Sequence, residues 1–168
     1  MVKNPIIIGI DPGYDRIGLA IGQKQAHSWQ ILAYECLETD RTLDLFARYQ
    51  QISTRLDQLL TIHQPQEAAI ESLFWFKNQS TALHVSEARG VILAGLLKHG
   101  ITISEYTPLQ IKQSLTGYGR ADKKAVEKMV RLELQLTDSI IDDTIDALAL
   151  MICHQAARTL KKKLWLLI

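Results

Sequence analysis

Four carboxylates stand where metal-assisted chemistry would want them. Asp11 follows the apolar run Pro5 to Ile10, and Glu71 closes the short apolar segment Ala68-Ala69-Ile70. Asp143 and Asp146 lie three residues apart, just ahead of the apolar run Ala147-Leu148-Ala149-Leu150, so on a helix they share a face. If the first and fourth strands are parallel neighbours, Asp11 and Glu71 come side by side at the carboxyl edge of a sheet. That edge is where open α/β sheets take ligands. A final helix laid over it adds Asp143 and Asp146. Such a cluster repels itself unless hard cations fill it, and Mg²⁺ with carboxylate and water ligands fits best. Two such ions about 3.5–4 Å apart are the usual arrangement for in-line attack on a phosphodiester. Taken singly, each acid has a plainer explanation. Asp11-Pro12-Gly13 reads as a turn, and Asp142 and Asp143 as acids favoured at a helix start. The conjunction is what points to chemistry, because an Asp such as Asp146 rarely faces a core without a partner or a metal.

Other site chemistries find little support. The five histidines are scattered, with no zinc-ligand spacing. Gly13-Tyr14-Asp15-Arg16-Ile17-Gly18 is followed by Leu19, not Lys, so it is not a Walker loop. No Gly-x-Ser-x-Gly elbow occurs.

Three aromatics, Phe74-Trp75-Phe76, follow Glu71 and are succeeded by Lys77-Asn78. Consecutive side chains cannot all face one core. One or two pack down, and Phe74 is the better candidate to stack on a nucleic-acid base. Lys112, Arg120, Lys123 and Lys124 flank Gly117-Tyr118-Gly119, where glycine lets a backbone approach phosphates and the cations supply sequence-independent affinity. Lys124 and Lys128 read as solvated helix-face residues.

The elements that must position these residues follow from apolar periodicity. Pro5–Ile10, Ile17–Ile21 and Trp29–Cys36 read as strands with short gaps, hence an antiparallel meander. Leu43, Phe46, Tyr49, Ile52, Leu56, Leu59 and Leu60 then fall on one helical face, with Asp40 or Thr42 as cap and Pro65 as stop. Glu67–Glu71 is a short strand, Asn78–Lys98 a helix and Ile101–Tyr106 a fifth strand. Thr107-Pro108 opens a third helix as cap and first-turn proline. Asp122–Leu134 is a helix with Val126, Met129, Val130 and Leu134 inward, and the last helix runs from Asp142 or Asp143 to about Leu160. The order implies a mixed sheet with helices packed on it, an α/β domain.

Length and composition agree. The chain has 168 residues, 47% of them hydrophobic and 22% charged, which suits one folded domain and excludes disorder as the main state. We expect one domain over 1–160 and a short basic, apolar tail over 161–168. The longest apolar stretch, Val91–Leu97, is too short to span a bilayer, and Met1–Pro5 has no leader features. Only Cys36 and Cys153 are cysteines, consistent with a reducing cytoplasm. Residues 77–131 carry nine basic and four acidic side chains, while 132–146 carry five acidic and none basic. A basic stretch beside an acidic one suits a site that holds a polyanion and cuts it with metal, although on charge alone ordinary solvated faces are the better explanation.

In combination and order these motifs resemble the RuvC-type Holliday junction resolvases of bacteria, over nearly the whole chain. The resemblance rests on Ile8-Gly9-Ile10-Asp11-Pro12-Gly13, Ile70-Glu71 with Phe74 and Lys77-Asn78, and Ala88-Arg89-Gly90-Val91. It continues through Lys112-Gln113, the Gly117–Lys123 loop and Asp143-x-x-Asp146-Ala147-Leu148-Ala149. It implies an RNase H-like fold with strand order 3-2-1-4-5 and a homodimer. It also implies Mg²⁺-dependent endonuclease action, with Mn²⁺ as a substitute, that nicks two opposing strands of a four-way junction symmetrically in recombination and repair. A branch-migration motor of the RuvA and RuvB type is the implied partner. By position, Asp11, Glu71, Asp143 and Asp146 match the family's metal-binding acids, Phe74 its junction-contacting aromatic, and Lys112 and Lys123 its functional lysines. Some members have His in place of Asp143. Two rivals are weighed against this. An actin-like phosphotransferase would use Asp11-Pro12-Gly13 as a phosphate loop, but the chain is too short for two such lobes. A junction-binding scaffold without catalysis would not need all four acids.

Overall fold

The computed structural model describes residues 4–72, 79–137 and 140–165. Three antiparallel strands come first: β1 (Ile6–Asp11), β2 (Arg16–Lys24) and β3 (Trp29–Glu38). Helix α1 (Leu45–His63) leads to β4 (Glu67–Glu71), and α2 (Gln79–Lys98) leads to β5 (Thr102–Tyr106). Each crossover returns the chain parallel, so β4 pairs with β1 and β5 with β4. Then follow α3 (Pro108–Thr116), α4 (Lys123–Leu134) and α5 (Asp142–Trp165). The sheet order is β3-β2-β1-β4-β5, the expected mixed five-stranded sheet.

Strand alternation decides which face meets which helix. Ile8, Ile10, Ile17, Leu19, Ile21 and Ile70 point to one face and form a core with Ile52, Leu56 and Leu60 of α1 and Ala88, Ile92 and Leu96 of α2. The other face is made of small residues, among them Gly9, Gly18, Ala20 and Ala69, and α5 lies on it. A Cβ on Gly9 would stand 2.1 Å from the Ala147 carbonyl oxygen, and one on Gly18 1.8 Å from that of Asp143. Only glycine lets the helix rest that closely on the strands. Ala147 to Met151 are all fully buried, because α3 and α4 cover the side of α5 that the sheet does not.

A polar chain fixes α5 further along. Tyr106 Oη and His154 Nδ1 are 2.8 Å apart, His154 Nε2 and Glu67 Oε2 2.7 Å, and Arg158 Nε donates to Glu67 Oε1 at 2.8 Å. His154 is 5% exposed, so these bonds replace water. His154→Leu leaves the Tyr106 hydroxyl and one Glu67 oxygen short of a partner, and is expected to cost about 2 kcal/mol or more. Denaturant unfolding checks this; an unchanged midpoint would show the chain to be incidental.

Some boundaries differ from expectation. Helix α1 starts later, capped by Asp44, which accepts from Ala47 N at 3.0 Å. Asp40 instead accepts from the Thr42 backbone and hydroxyl in a turn of its own. Leu43 and Phe46 are 41% and 81% exposed rather than inward. The inward position at that level belongs to Arg48, which donates to Thr39 Oγ1, the Tyr14 carbonyl and Asp15. That clamp ties down the turn after β1. Met129 is 38% exposed, because Val126, Val130 and Leu134 already form the buried stripe of α4. Helix α5 runs to Trp165, past the expected end near Leu160. Thr107 caps α3 as expected, in a reciprocal pair with Gln110, and Gly117 ends it in the left-handed conformation. Among the described residues no helix is long and apolar enough to cross a membrane.

Candidate active site

Parallel pairing of Ile10 with Ile70 sends Asp11 and Glu71 off adjacent strand ends, both on the face that α5 covers. Glu71 accepts a hydrogen bond from the Asp11 carboxyl. Gly18 admits the start of α5 over the same edge, which brings Asp143 and Asp146 within electrostatic reach of Asp11. The i, i+3 pair then divides. Asp146 points toward α4, where Lys123 Nζ is 3.2 Å from its Oδ2 and 3.5 Å from Asp142 Oδ2. Asp143 points toward β2 and β3, with Arg16 Nε at 3.1 Å and Cys36 Sγ at 3.7 Å from its Oδ2. A cavity of about 220 Å³ opens beside Glu71 and Asp146, walled by Pro108, Ile111, Lys112, Lys123 and Val126.

The electrostatics register the crowding. Burial, then the charges of Glu71, Asp146 and Asp143, push the Asp11 carboxyl up to about 7, with Lys123 only partly opposing. Glu71 is also raised, by burial first and Asp146 next. Asp146 is raised because burial outweighs its pairing with Lys123. Three partly buried carboxyl groups that resist ionisation together form an all-oxygen donor set short of positive charge, which a hard divalent cation would supply. Among the described residues no three acidic, histidine or cysteine side chains close around a single ion-sized point. Asp143 and Asp146 are engaged with Arg16 and Lys123 instead.

The four acids singled out in the sequence are therefore brought to one edge, and Lys112 and Lys123 stand on the wall of its cavity. Arg120 is exposed in the turn between α3 and α4 and does not line that cavity. Phe74 and Lys77 lie outside the described residues. Sequence reasoning missed Arg16 and Cys36. Their signal was alternation: Arg16 shares a face with Gly18, and β3 places Cys36 opposite Gly18 and Glu38 opposite Arg16.

Residues 7–154 match the family model described as crossover junction endodeoxyribonuclease RuvC. The protein of that name from Petrotoga mobilis is 44% identical over 150 residues, covering 89% of this chain and 92% of that one. The one from Caldicellulosiruptor saccharolyticus is 42% identical over 150 residues, covering 88% and 90%. Thermus thermophilus RuvC in complex with Holliday junction substrate superposes with a TM-score of 0.88 at 30% identity, covering 94% of this chain and 96% of that one. The yeast mitochondrial Holliday junction resolvase Ydc2, with a TM-score of 0.64 and 12% identity over 96% of this chain and 86% of that one, shares the fold.

Proposed function

The chain belongs to the RuvC family of crossover junction endodeoxyribonucleases, and on that premise we propose that it resolves four-way DNA junctions by paired, symmetrical nicks in recombination and repair. Asp11, Glu71, Asp143 and Asp146 would hold the Mg²⁺ ions, with Mn²⁺ accepted as a substitute, and Asp11 is the most centrally placed of the four. The observation that carries this is the carboxylate cluster at the strand ends, in which Asp11 is pushed up to about 7 by burial and three acidic neighbours. When bound, the ions supply an activated water and neutralise charge on the phosphate and the departing 3′ oxygen. The remaining roles belong to the chain's own side chains. Lys123 and Lys112 place positive charge on the cavity wall beside Glu71, where a phosphate enters. Arg120 and Lys77 add attraction that does not depend on sequence. Phe74 stacks on a base unpaired at the crossover.

Stacking of one base on an aromatic ring contributes roughly 1–3 kcal/mol. Phe74→Ala should therefore slow junction nicking by about one to two orders of magnitude, each 1.36 kcal/mol being about tenfold. Salt-dependent binding should change little. A large drop in melting temperature with normal specific activity would instead make Phe74 a packing residue.

A junction with near two-fold symmetry calls for two coordinated sites, which an isologous homodimer supplies. Helix α2 is the proposed interface, through Leu83, Gly90, Ala94 and Leu97, which are exposed. Ala88 and Gly95, although small, serve the chain's own core: Ala88 is fully buried and Gly95 packs against Leu56. A branch-migration motor of the RuvA and RuvB type presents the junction, in the cytoplasm. The test is a panel of synthetic four-way junction, linear duplex and single strand, each with Mg²⁺. Paired nicks near the branch point of the junction alone are expected, and equal cutting of all three would make this a general nuclease.

A further inference from the structure

Each of the paired acids on α5 has a cation of its own. Asp146 has Lys123, and Asp143 has Arg16, the first residue of β2. Arg16 Nε also stands 3.4 Å from Glu38 Oε1, so two carboxylates share one guanidinium. The Arg16 side chain is 41% exposed. It lies at the same sheet edge as Asp11, because Asp11 pairs with Gly18 two residues further along β2. An ion pair open to water at such a place is held weakly and exchanges readily.

We propose that Arg16 is an exchangeable counter-ion. It neutralises Asp143 in the metal-free protein, gives Asp143 up when divalent ions enter, and then contacts a DNA phosphate at the rim of the site. The inference rests on the metal-holding role proposed for the four carboxylates. The geometry favours exchange over permanent support. Arg16 and Cys36 engage Asp143 from the β2 and β3 side, whereas Glu71 and Asp146 lie on the other side of Asp11. A divalent ion on Asp143 draws charge from the carboxylate whose Oδ2 holds Arg16 and repels the guanidinium, so it weakens that contact. Glu38 keeps the freed guanidinium at the rim, where its planar donor fork suits a phosphate.

Calorimetric titration of Mn²⁺ into the DNA-free protein tests this. Arg16→Gln removes a competitor for Asp143 and a like charge, so Mn²⁺ should bind about two- to fivefold more tightly. Arg16→Lys keeps the charge and should stay within about twofold of the unsubstituted protein. Junction affinity, measured with Ca²⁺ in place of Mg²⁺, should fall about two- to fivefold in Arg16→Gln. A residue that merely props Asp143 would give the opposite sign, weaker Mn²⁺ binding. Unchanged or weaker Mn²⁺ binding in Arg16→Gln, equal tightening in Arg16→Lys, or unaltered junction affinity would overturn the inference while leaving the metal reading intact. If the unsubstituted protein bound Mn²⁺ no better than Asp11→Asn, both would fall.

Discussion

Asp11→Asn is expected to stop junction nicking, by about a thousandfold or more, and to make the protein harder to unfold at pH 8. The two effects share one cause. Asp11 lies among Glu71, Asp143 and Asp146, and its carboxyl is raised from 3.8 to about 7 by burial and their charges. A thousandfold loss corresponds to about 4 kcal/mol of transition-state stabilisation, a reasonable loss for the most central carboxylate of the proposed metal site. The stability effect follows from linkage. Folded protein holds the Asp11 proton more tightly than unfolded chain does. Between about pH 4 and pH 7 the unfolded chain gives up this proton first, so stability falls as pH rises, and above pH 7 the whole penalty is present. The full shift would amount to about 4 kcal/mol, and partial exposure with Lys123 nearby brings the expected gain to about 1–3 kcal/mol. Asn keeps the size and removes the charge. Metal-free melting at pH 5 and pH 8 should show a larger gain at pH 8, while junction binding survives. Equal gains at both pH values would remove Asp11 from the centre of the cluster.

Gly18→Ala is expected to damage fold and activity together. The added methyl would stand 1.8 Å from the Asp143 carbonyl oxygen and 2.5 Å from its carbon, so the start of α5 has to move by more than 1 Å. Overpacking of this kind costs about 1–3 kcal/mol. The displacement falls on Asp143 itself, and a misplacement of about 1 Å can cost about a hundredfold in rate. Gly22→Ala, on the same strand face, is the milder comparison, since its methyl would stand 3.0 Å from Met151 Sδ and 3.1 Å from the Gln30 carbonyl oxygen, against 1.8 Å from backbone at Gly18. Melting temperatures and nicking rates of the two variants separate these outcomes. Normal nicking by Gly18→Ala would mean that α5 need not rest on β2 to place its acids.

Much of this arrangement was legible because strands alternate and helices do not. Asp11 and Glu71 each end an apolar run, and Asp143 and Asp146 precede one, so their convergence needed the parallel pairing of β1 with β4 and a final helix laid over that edge. Strand order came from the family resemblance, since periodicity alone does not say which strands are neighbours. The start of α1 was misread for a chemical reason. Asp40 makes its own turn and Asp44 is the cap, while the inward residue of the first turn is Arg48, a charged side chain that an apolar pattern passes over. Arg16 and Cys36 were missed because alternation was applied to the apolar residues of β2 and β3 and not to their polar ones.

The central claim is that metal held by the four carboxylates acts on the scissile phosphate. Sulfur in place of one non-bridging oxygen of that phosphate tests it most directly, because Mg²⁺ accepts sulfur poorly and Mn²⁺ more readily. The nicking rate is measured on four-way junctions carrying the substitution on one strand, in each metal and in chelator. The account predicts that one sulfur diastereomer slows Mg²⁺-driven nicking by about tenfold or more, that Mn²⁺ restores most of the rate, and that chelator abolishes it. Equal slowing in both metals, or nicking that persists in chelator, would contradict it.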